Sequence, residues 1–390
     1  MRLLRIAVTL VLLLLACVVF AGWFTLRASL PRYDGEVASH GIAQPVSVER
    51  DALGTATIRA STRTDAAWTL GYVHAQERYF EMDLFRRSAA GELAELFGSA
   101  AVPIDRRARA HRMRARMQHA YETLPPAQRA LADAYRDGVN AGLGDLSARP
   151  FEYLLLRTKP APWRSEDALL VEAAMAFTLN DAENARELAF SRVHAALPAS
   201  AYRFLAAHGG EWDAPLFGVD LAWPAPPSIA ELDLHAPSAA PSNDGDAKRN
   251  DIPGSNGFAV DGTLTGGGAL VANDMHLDLR VPNLWFRTRL VYADPDDASR
   301  TIDVTGASLP GAPAIVVGSN GDIAWGFTNS YIDTTDWVRV QRDPSDATRY
   351  RADGRWEPIA TFDETIKVAG KPEEHLSVEE TRWGPILAKD

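Results

Sequence analysis

An α+β fold is what this sequence predicts, from three observations. Apolar residues recur at helical spacing up to about residue 210, apolar and polar residues alternate after about residue 255, and a stretch of Ala, Pro, Ser and Asp lies between. Segregated helical and strand-rich stretches are the pattern of α+β chains rather than of alternating α/β ones. With 390 residues, 46% hydrophobic and 23% charged, the chain is long enough for two or three cores.

The first element is apolar. Arg2 and Arg5 precede a run from Ile6 to Phe24 that carries no charge. A positive start followed by such a run has the form of an export signal, and its length equally admits an uncleaved membrane anchor. Leu15-Ala16-Cys17 has the outline of a lipoprotein cleavage site, but the apolar run continues through Val18, Val19 and Phe20, where a lipoprotein turns polar. Residues 1–27 are therefore read as a signal peptide or membrane anchor, and the remainder as periplasmic or held at the cell envelope. Cys17 is the only cysteine, which leaves the exported part without a disulfide, a thiolate metal site or a cysteine nucleophile. The formal net charge of −11 and the lack of a basic stripe argue against nucleic acid. The densest basic patch, Arg106, Arg107, Arg109, Arg112, Arg114 and Arg116, reads as a salt-bridged helix face.

Residues 28–223 form a mainly helical region. It opens with two strand-like runs, Pro45–Val48 and Thr55–Ile58, parted by a turn at Asp51 and Gly54. Thr64-Asp65 offers an N-cap, and Leu70, Val73, Phe80 and Leu84 then mark one apolar helical face down to Arg86-Arg87. Further helices are expected over Gly91–Phe97, Pro126–Leu143, Glu152–Leu156 and Ser165–Val193, with Pro160 and Pro162 punctuating the last gap. Residues 224–254 hold few large apolar side chains and cannot bury enough surface to offset their ordering entropy, so they read as a flexible spacer. It is either an interdomain linker or a peptide removed during maturation.

Residues 255–390 are β-rich. Phe258–Val260 and Ala269–Ala272, joined through Asp261-Gly262 and Gly266–Gly268, read as a hairpin. From Trp285 to Val291, Leu284, Phe286 and Leu290 fall on one side and Arg287 and Arg289 on the other. Ile302–Val304, Ala314–Val317 and Asp322–Trp325 continue the strand series.

The candidate for chemistry stands where spacer meets hairpin, at Gly254-Ser255-Asn256-Gly257. Such residues make turns everywhere, and on local sequence a plain turn is the simpler reading. If the peptide bond before Ser255 were cut, however, the serine would hold a free α-amine beside its own hydroxyl. That amine can serve as the base, directly or through a water, with no histidine relay. Gly254 leaves the scissile carbonyl unhindered and the spacer lets the bond bend toward attack.

Ordered blocks along most of the chain favour the second reading. Val48-Glu-Arg-Asp51, Gly54, Ile58-Arg-Ala60, Asp65-Ala66, Leu70-Gly-Tyr-Val-His-Ala-Gln76-Glu-Arg78, Met82-Asp83, Arg86-Arg87, Gly91, Glu95 and Gly98 resemble the opening of the α subunit of the penicillin acylase family. Gly254-Ser255-Asn256 and Ala272-Asn273-Asp274-Met275-His276-Leu277 resemble the opening of its β subunit. Gly306-Ala-Ser-Leu-Pro-Gly311, Gly318-Ser-Asn-Gly321, Ala324-Trp-Gly-Phe-Thr-Asn329, Asp333 and Asp336 continue the match.

The resemblance implies an N-terminal-nucleophile hydrolase, an αββα sandwich with a mainly helical α-subunit region. It implies a self-processing amidase acting on small N-acyl compounds of β-lactam, acyl-homoserine lactone or acyl-amino acid type. Ser255 would be the nucleophile, and the backbone N–H of Asn329 and a group at His276 the oxyanion donors. Leu277 and Val317 would line the acyl pocket, where aliphatic side chains favour a straight or flexible chain over a ring. A structural Ca²⁺ would be held by Glu187, Asp333, the Thr335 carbonyl and Asp336, hard oxygen donors that suit this ion. Measured against the family, the β part looks truncated, with the sandwich incomplete and a catalytic asparagine beyond Asp390, so poor activity is expected of this chain alone. Two rival readings stand beside the amidase. One is a non-catalytic, envelope-anchored scaffold that binds acylated ligands or a partner. The other is a metal-dependent hydrolase using Asp274 and His276, for which no third ligand stands at a convincing spacing.

Overall fold

The computed structural model describes residues 1–180, 184–207, 217–218, 222–233, 254–277, 279–297, 299–329 and 335–387. It is an α+β protein. The chain divides into two compact units: one holds Met1–Phe177, Pro253–Asn329 and Gln341–Asp390, the other Thr178–Ile252 and Ser330–Val340.

The larger unit begins with α1 (Arg2–Ala28), a 27-residue helix with no buried residue, long and apolar enough to cross a membrane. Strands β1 (Ser47–Arg50) and β2 (Ala56–Arg59) pair antiparallel across the turn at Asp51, whose carboxylate accepts from the Leu53 and Thr55 backbone N–H groups. Helix α2 (Arg63–Ala90) follows. Its N-cap is Thr62 rather than Thr64, because the Thr62 hydroxyl accepts from Asp65 N at 3.0 Å and frees the Asp65 carboxylate to accept from Ala43 N at 2.8 Å. Gly91, left-handed at φ 68°, ends it.

Short helices α3 (Ala94–Phe97), α4 (Val102–Ala110) and α5 (Met113–Thr123) lead to α6 (Pro126–Gly144) and α7 (Phe151–Leu155). Helix α6 crosses α2 at very close range. A Cβ on Gly138 would lie 1.8 Å from the Trp68 carbonyl oxygen, and one on Gly142 would lie 2.3 Å from that of Tyr72. Glycine is what permits the approach. The expected helix Ser165–Val193 proves to be two, α8 (Asp167–Leu179) and α9 (Ala185–Ala196), since Asn184 turns left-handed at φ 45° and its side chain is engaged elsewhere. Helix α10 (Ala199–Leu205) closes the helical stretch, and most of the predicted spacer, residues 234–253, lies outside the described residues.

Beyond it, β3 (Gly254–Val260) and β4 (Leu270–His276) form the expected hairpin, with a helical turn, α11 (Gly262–Thr265), at its tip. Then come β5 (Phe286–Ala293), β6 (Thr301–Ser308), β7 (Ile315–Ser319) and β8 (Ala324–Trp325). These four join β1 and β2 in one six-stranded sheet of order β1-β2-β5-β6-β7-β8, in which β2 and β5 run parallel. The sheet is thus woven from segments on both sides of the spacer. Phe286, Thr288 and Leu290 are buried against α2 and its neighbours, while Arg287 and Arg289 face outward, as the alternation predicts.

The remaining strands, β9 (Arg342–Asp343), β10 (Asp346–Ala352), β11 (Arg355–Pro358), β12 (Ala360–Ile366), β13 (Glu374–Thr381) and β14 (Gly384–Pro385), make two small three-stranded sheets. Glu364, Glu374 and Glu380 on this part pair with Arg106, Arg109, Arg112 and Arg116, so the basic patch of α4–α5 is a salt-bridged face.

At the centre of the unit sits a buried ionic knot. Asp83, fully buried, ion-pairs with Arg86 at 2.7 Å and Arg87 at 2.9 Å and accepts from the Tyr153 hydroxyl at 2.6 Å. Arg86 also pairs with buried Asp167, which Arg114 reaches from α5. The charges are buried but paired with opposite charges, the condition under which such groups are tolerated.

Candidate active site

Ser255 is the second residue of β3, and the β3–β4 register decides what surrounds it. Gly254 opposes His276, Ser255 opposes Met275, Asn256 opposes Asp274 and Gly257 opposes Asn273. Directly opposed residues share a face of an antiparallel ribbon, and successive ones alternate. One face therefore carries Ser255, Asn273 and Met275, and the other carries Asn256, Asp274 and His276.

The Ser255 face is met by the segment that leaves the large sheet after β8. Trp325 is tied to β7 through its indole N–H, which donates to the Val316 carbonyl at 3.1 Å. Four residues on, the backbone N–H of Asn329 donates to Ser255 Oγ at 3.2 Å. A hydroxyl and a preorganised backbone donor thus stand together, which is the minimal pair for attack on a carbonyl with stabilisation of the charge that develops. Ser255 is half-buried, so a substrate can reach it.

His276 occupies the opposite face. Its Nε2 lies 3.3 Å from Asp274 Oδ2, and Asp274 Oδ1 accepts from Asn256 N at 3.1 Å. Its Nδ1 lies 2.8 Å from where a Cβ on residue 254 would stand. His276 therefore rests against the residue that precedes the serine, and the structure does not bring it to the Ser255 hydroxyl. Glycine at 254 is what lets the ring lie there.

The two aliphatic candidates differ in setting. Leu277 packs against the main core cluster of the unit. On β7 it is Ile315 and Val316 that pack against that cluster, while Val317 is half-buried opposite Ala307.

In the smaller unit, Glu187 and Thr335 are drawn together. The Asn184 side-chain amide donates to Glu187 Oε2 and, at 2.8 Å, to the Thr335 carbonyl. Glu187 Oε2 also accepts from Trp337 N at 3.0 Å. A neutral amide N–H group therefore sits between a carboxylate and a carbonyl, two hard oxygen groups of the kind that suits a hard cation. Asp336 is exposed beside them, and Asp333 lies outside the described residues. Among the described residues no group of three or more His, Cys, Asp or Glu is placed to hold a metal ion.

No local sequence pattern points to a role for Asn273, Gly326 or Asn184. Asn273 lies in the Ala272–Leu277 motif, but its partners are 17 and 54 residues away along the chain, and no local pattern announces them. Asn184 left a trace only as a helix interruption.

The penicillin amidase family model matches residues 45–390. A penicillin acylase 2 proenzyme from Pseudomonas sp. (strain SE83) is 31% identical over 378 residues, covering 94% of this chain and 46% of that protein. An acyl-homoserine lactone acylase, QuiP, from Pseudomonas aeruginosa is 31% identical over 371 residues, covering 92% of this chain and 42% of that protein. The chain thus spans a little under half the length of these relatives. Among solved structures, a thermostable penicillin G acylase from Alcaligenes faecalis in tetragonal form matches with a TM-score of 0.37 and 24% identity, over 46% of this chain and 100% of that one. The family match extends from just before β1 through the hairpin that bears Ser255 to the last residue, and on that extent the chain belongs to the penicillin amidase family.

Proposed function

We propose that this chain carries the nucleophile of a self-processing amidase that hydrolyses small N-acyl compounds, with Ser255 as the catalytic hydroxyl of an N-terminal-nucleophile αββα hydrolase. The observation that supports this most is the Asn329 N–H donating to Ser255 Oγ, at the start of a hairpin directly after the predicted spacer. The names of the relatives, penicillin acylase and acyl-homoserine lactone acylase, suggest the substrate class.

In this reading Ser255 Oγ first attacks the Gly254 carbonyl carbon. The amide nitrogen takes a proton and leaves as the serine amine, and water hydrolyses the resulting ester. The freed amine then acts as base in turnover. It accepts the Oγ proton, directly or through a water, as Oγ bonds to the acyl carbon of the substrate. Asn329 N–H stabilises the oxyanion, the proton passes to the leaving nitrogen, and the C–N bond breaks. Water then releases the acid from the acyl-serine. His276, lying against Gly254, would act on the maturation side of the chemistry, and Leu277 and Val317 would contact the acyl chain. Glu187, the Thr335 carbonyl, Asp336 and Asp333 would hold a calcium ion, which when bound supplies charge neutralisation and rigidity rather than a chemical step. Helix α1 would direct the protein out of the cytoplasm, as a cleaved signal or as an anchor.

Intact-mass analysis of the complete gene product tests the reading. A fragment beginning at Ser255, lost in Ser255→Ala, supports it. A single uncut chain would favour the non-catalytic scaffold instead.

A further inference from the structure

The donor at Ser255 does not position itself. Asn329 belongs to a segment with no regular secondary structure, so no strand ladder fixes its backbone. One side chain on the ribbon does so. The Asn273 amide presents both of its ends to Phe327: Nδ2 donates to the Phe327 carbonyl at 3.0 Å, and Oδ1 accepts from the Phe327 N–H at 3.2 Å. The same Nδ2 donates to the Asn256 carbonyl at 2.8 Å, within the strand that bears Ser255. A primary amide imitates a peptide group here, pairing with the backbone of residue 327 as a neighbouring strand would.

Gly326 makes room for it. A Cβ on Gly326 would lie 2.6 Å from Asn273 Cβ and 2.9 Å from its Oδ1. Gly257, directly across the ribbon, leaves only ordinary contact distance, 3.4 Å, between a Cβ there and Asn273 Nδ2. Asn273 also shares its face of the ribbon with Ser255, so nucleophile and clamp project the same way from adjacent strands.

We infer that Asn273 is a positioning residue of the active site, fixing the Asn329 N–H relative to Ser255 by clamping Phe327 to Asn256. No other common side chain reproduces this. Aspartate keeps an acceptor for Phe327 N–H but turns a carboxylate toward two carbonyl oxygens, and alanine keeps nothing. The inference rests on the proposed roles of Ser255 and Asn329. It adds that the oxyanion geometry is set by a residue that touches neither substrate nor hydroxyl.

Two measurements on the complete gene product test it. In the uncleaved Ser255→Ala background, Asn273→Ala should raise amide hydrogen exchange in the 326–329 peptide by tenfold or more, with α2 and α6 peptides unchanged. In the otherwise wild-type enzyme, Asn273→Ala and Asn273→Asp should lower kcat ten- to a hundredfold on an N-acyl substrate, with KM within about threefold, per serine titrated by a sulfonyl fluoride. Gly326→Ala should do the same from the other side of the contact. Unchanged exchange at 326–329, or a rise in KM at constant kcat, would overturn the inference. A wild-type enzyme whose activity survives Ser255→Ala would overturn the functional reading instead, while the exchange experiment would still decide what Asn273 holds.

Discussion

The backbone N–H of Asn329 points at Ser255 Oγ from 3.2 Å, across 74 residues of chain. The pairing is made by tertiary structure alone. One partner sits on a two-stranded ribbon, and the other stands on a segment that has just left the six-stranded sheet.

From that pairing follows the first expectation. Ser255→Ala should abolish both chain cleavage and amide hydrolysis, leaving thermal stability within about 1 kcal/mol, since Ser255 is half-buried and its hydroxyl accepts a single neutral hydrogen bond. Mass analysis and a calorimetric scan read the two effects separately.

Glu187 and Thr335 converge on the Asn184 amide, and this carries the expectation for metal. Glu187→Ala should remove stoichiometric calcium, measured by elemental analysis of dialysed protein, and chelation should lower the melting temperature of the parent but not of the variant. Equal calcium content in the two proteins would dismiss the site.

His74 predicts a pH dependence. Fully buried on α2, it lies 2.7 Å from the Tyr135 hydroxyl and 2.9 Å from Ser308 Oγ. Ser308 donates onward to the Phe286 carbonyl and Gly311 N–H donates to the Tyr135 hydroxyl, so the chain of bonds is satisfied by a neutral imidazole protonated at Nε2. Burial, aided by the charge of Arg78, lowers its pKa to about 3. In the unfolded chain the group titrates near 6.5. Between those values the unfolded state binds the extra proton, so stability from this group is intact above about pH 6.5 and lost as pH falls toward 3. The slope approaches about 1.4 kcal/mol per pH unit. Urea midpoints for the parent and His74→Gln should converge as the medium is acidified from neutral, and parallel curves would refute the assignment.

The ionic knot makes the largest stability prediction. Removing Asp83 leaves Arg86 and Arg87 buried beside each other with a carboxylate lost, and Asp83→Ala should cost about 3–5 kcal/mol. Asp83→Asn should be milder but still destabilising, because it keeps the contact with Tyr153 while losing the charge. Denaturant unfolding of both variants reads the difference.

How far the sequence carried the fold can be judged on single residues. The alternation of Phe286 and Leu290 against Arg287 and Arg289 was legible because strand periodicity repeats every two residues, and burial follows it. The N-cap of α2 lies two residues before Thr64, since Thr62 and Thr64 are locally equivalent and the choice turns on Ala43 requiring the Asp65 carboxylate. A continuous helix over Ser165–Val193 was the local expectation, and the Asn184 break depends on contacts with Thr335, 151 residues away.

By itself the sequence determined the α+β pattern, the apolar N-terminal helix, the family and the serine at the head of a strand. These are properties of local periodicity, composition and ordered motifs, which the chain carries wherever it goes. Only the tertiary structure decided which face of the ribbon each residue takes. That choice brings Asn329 to Ser255, holds it there through Asn273, and turns His276 toward Gly254. Strand register is an agreement between distant segments, and a shift of one residue would exchange the two faces.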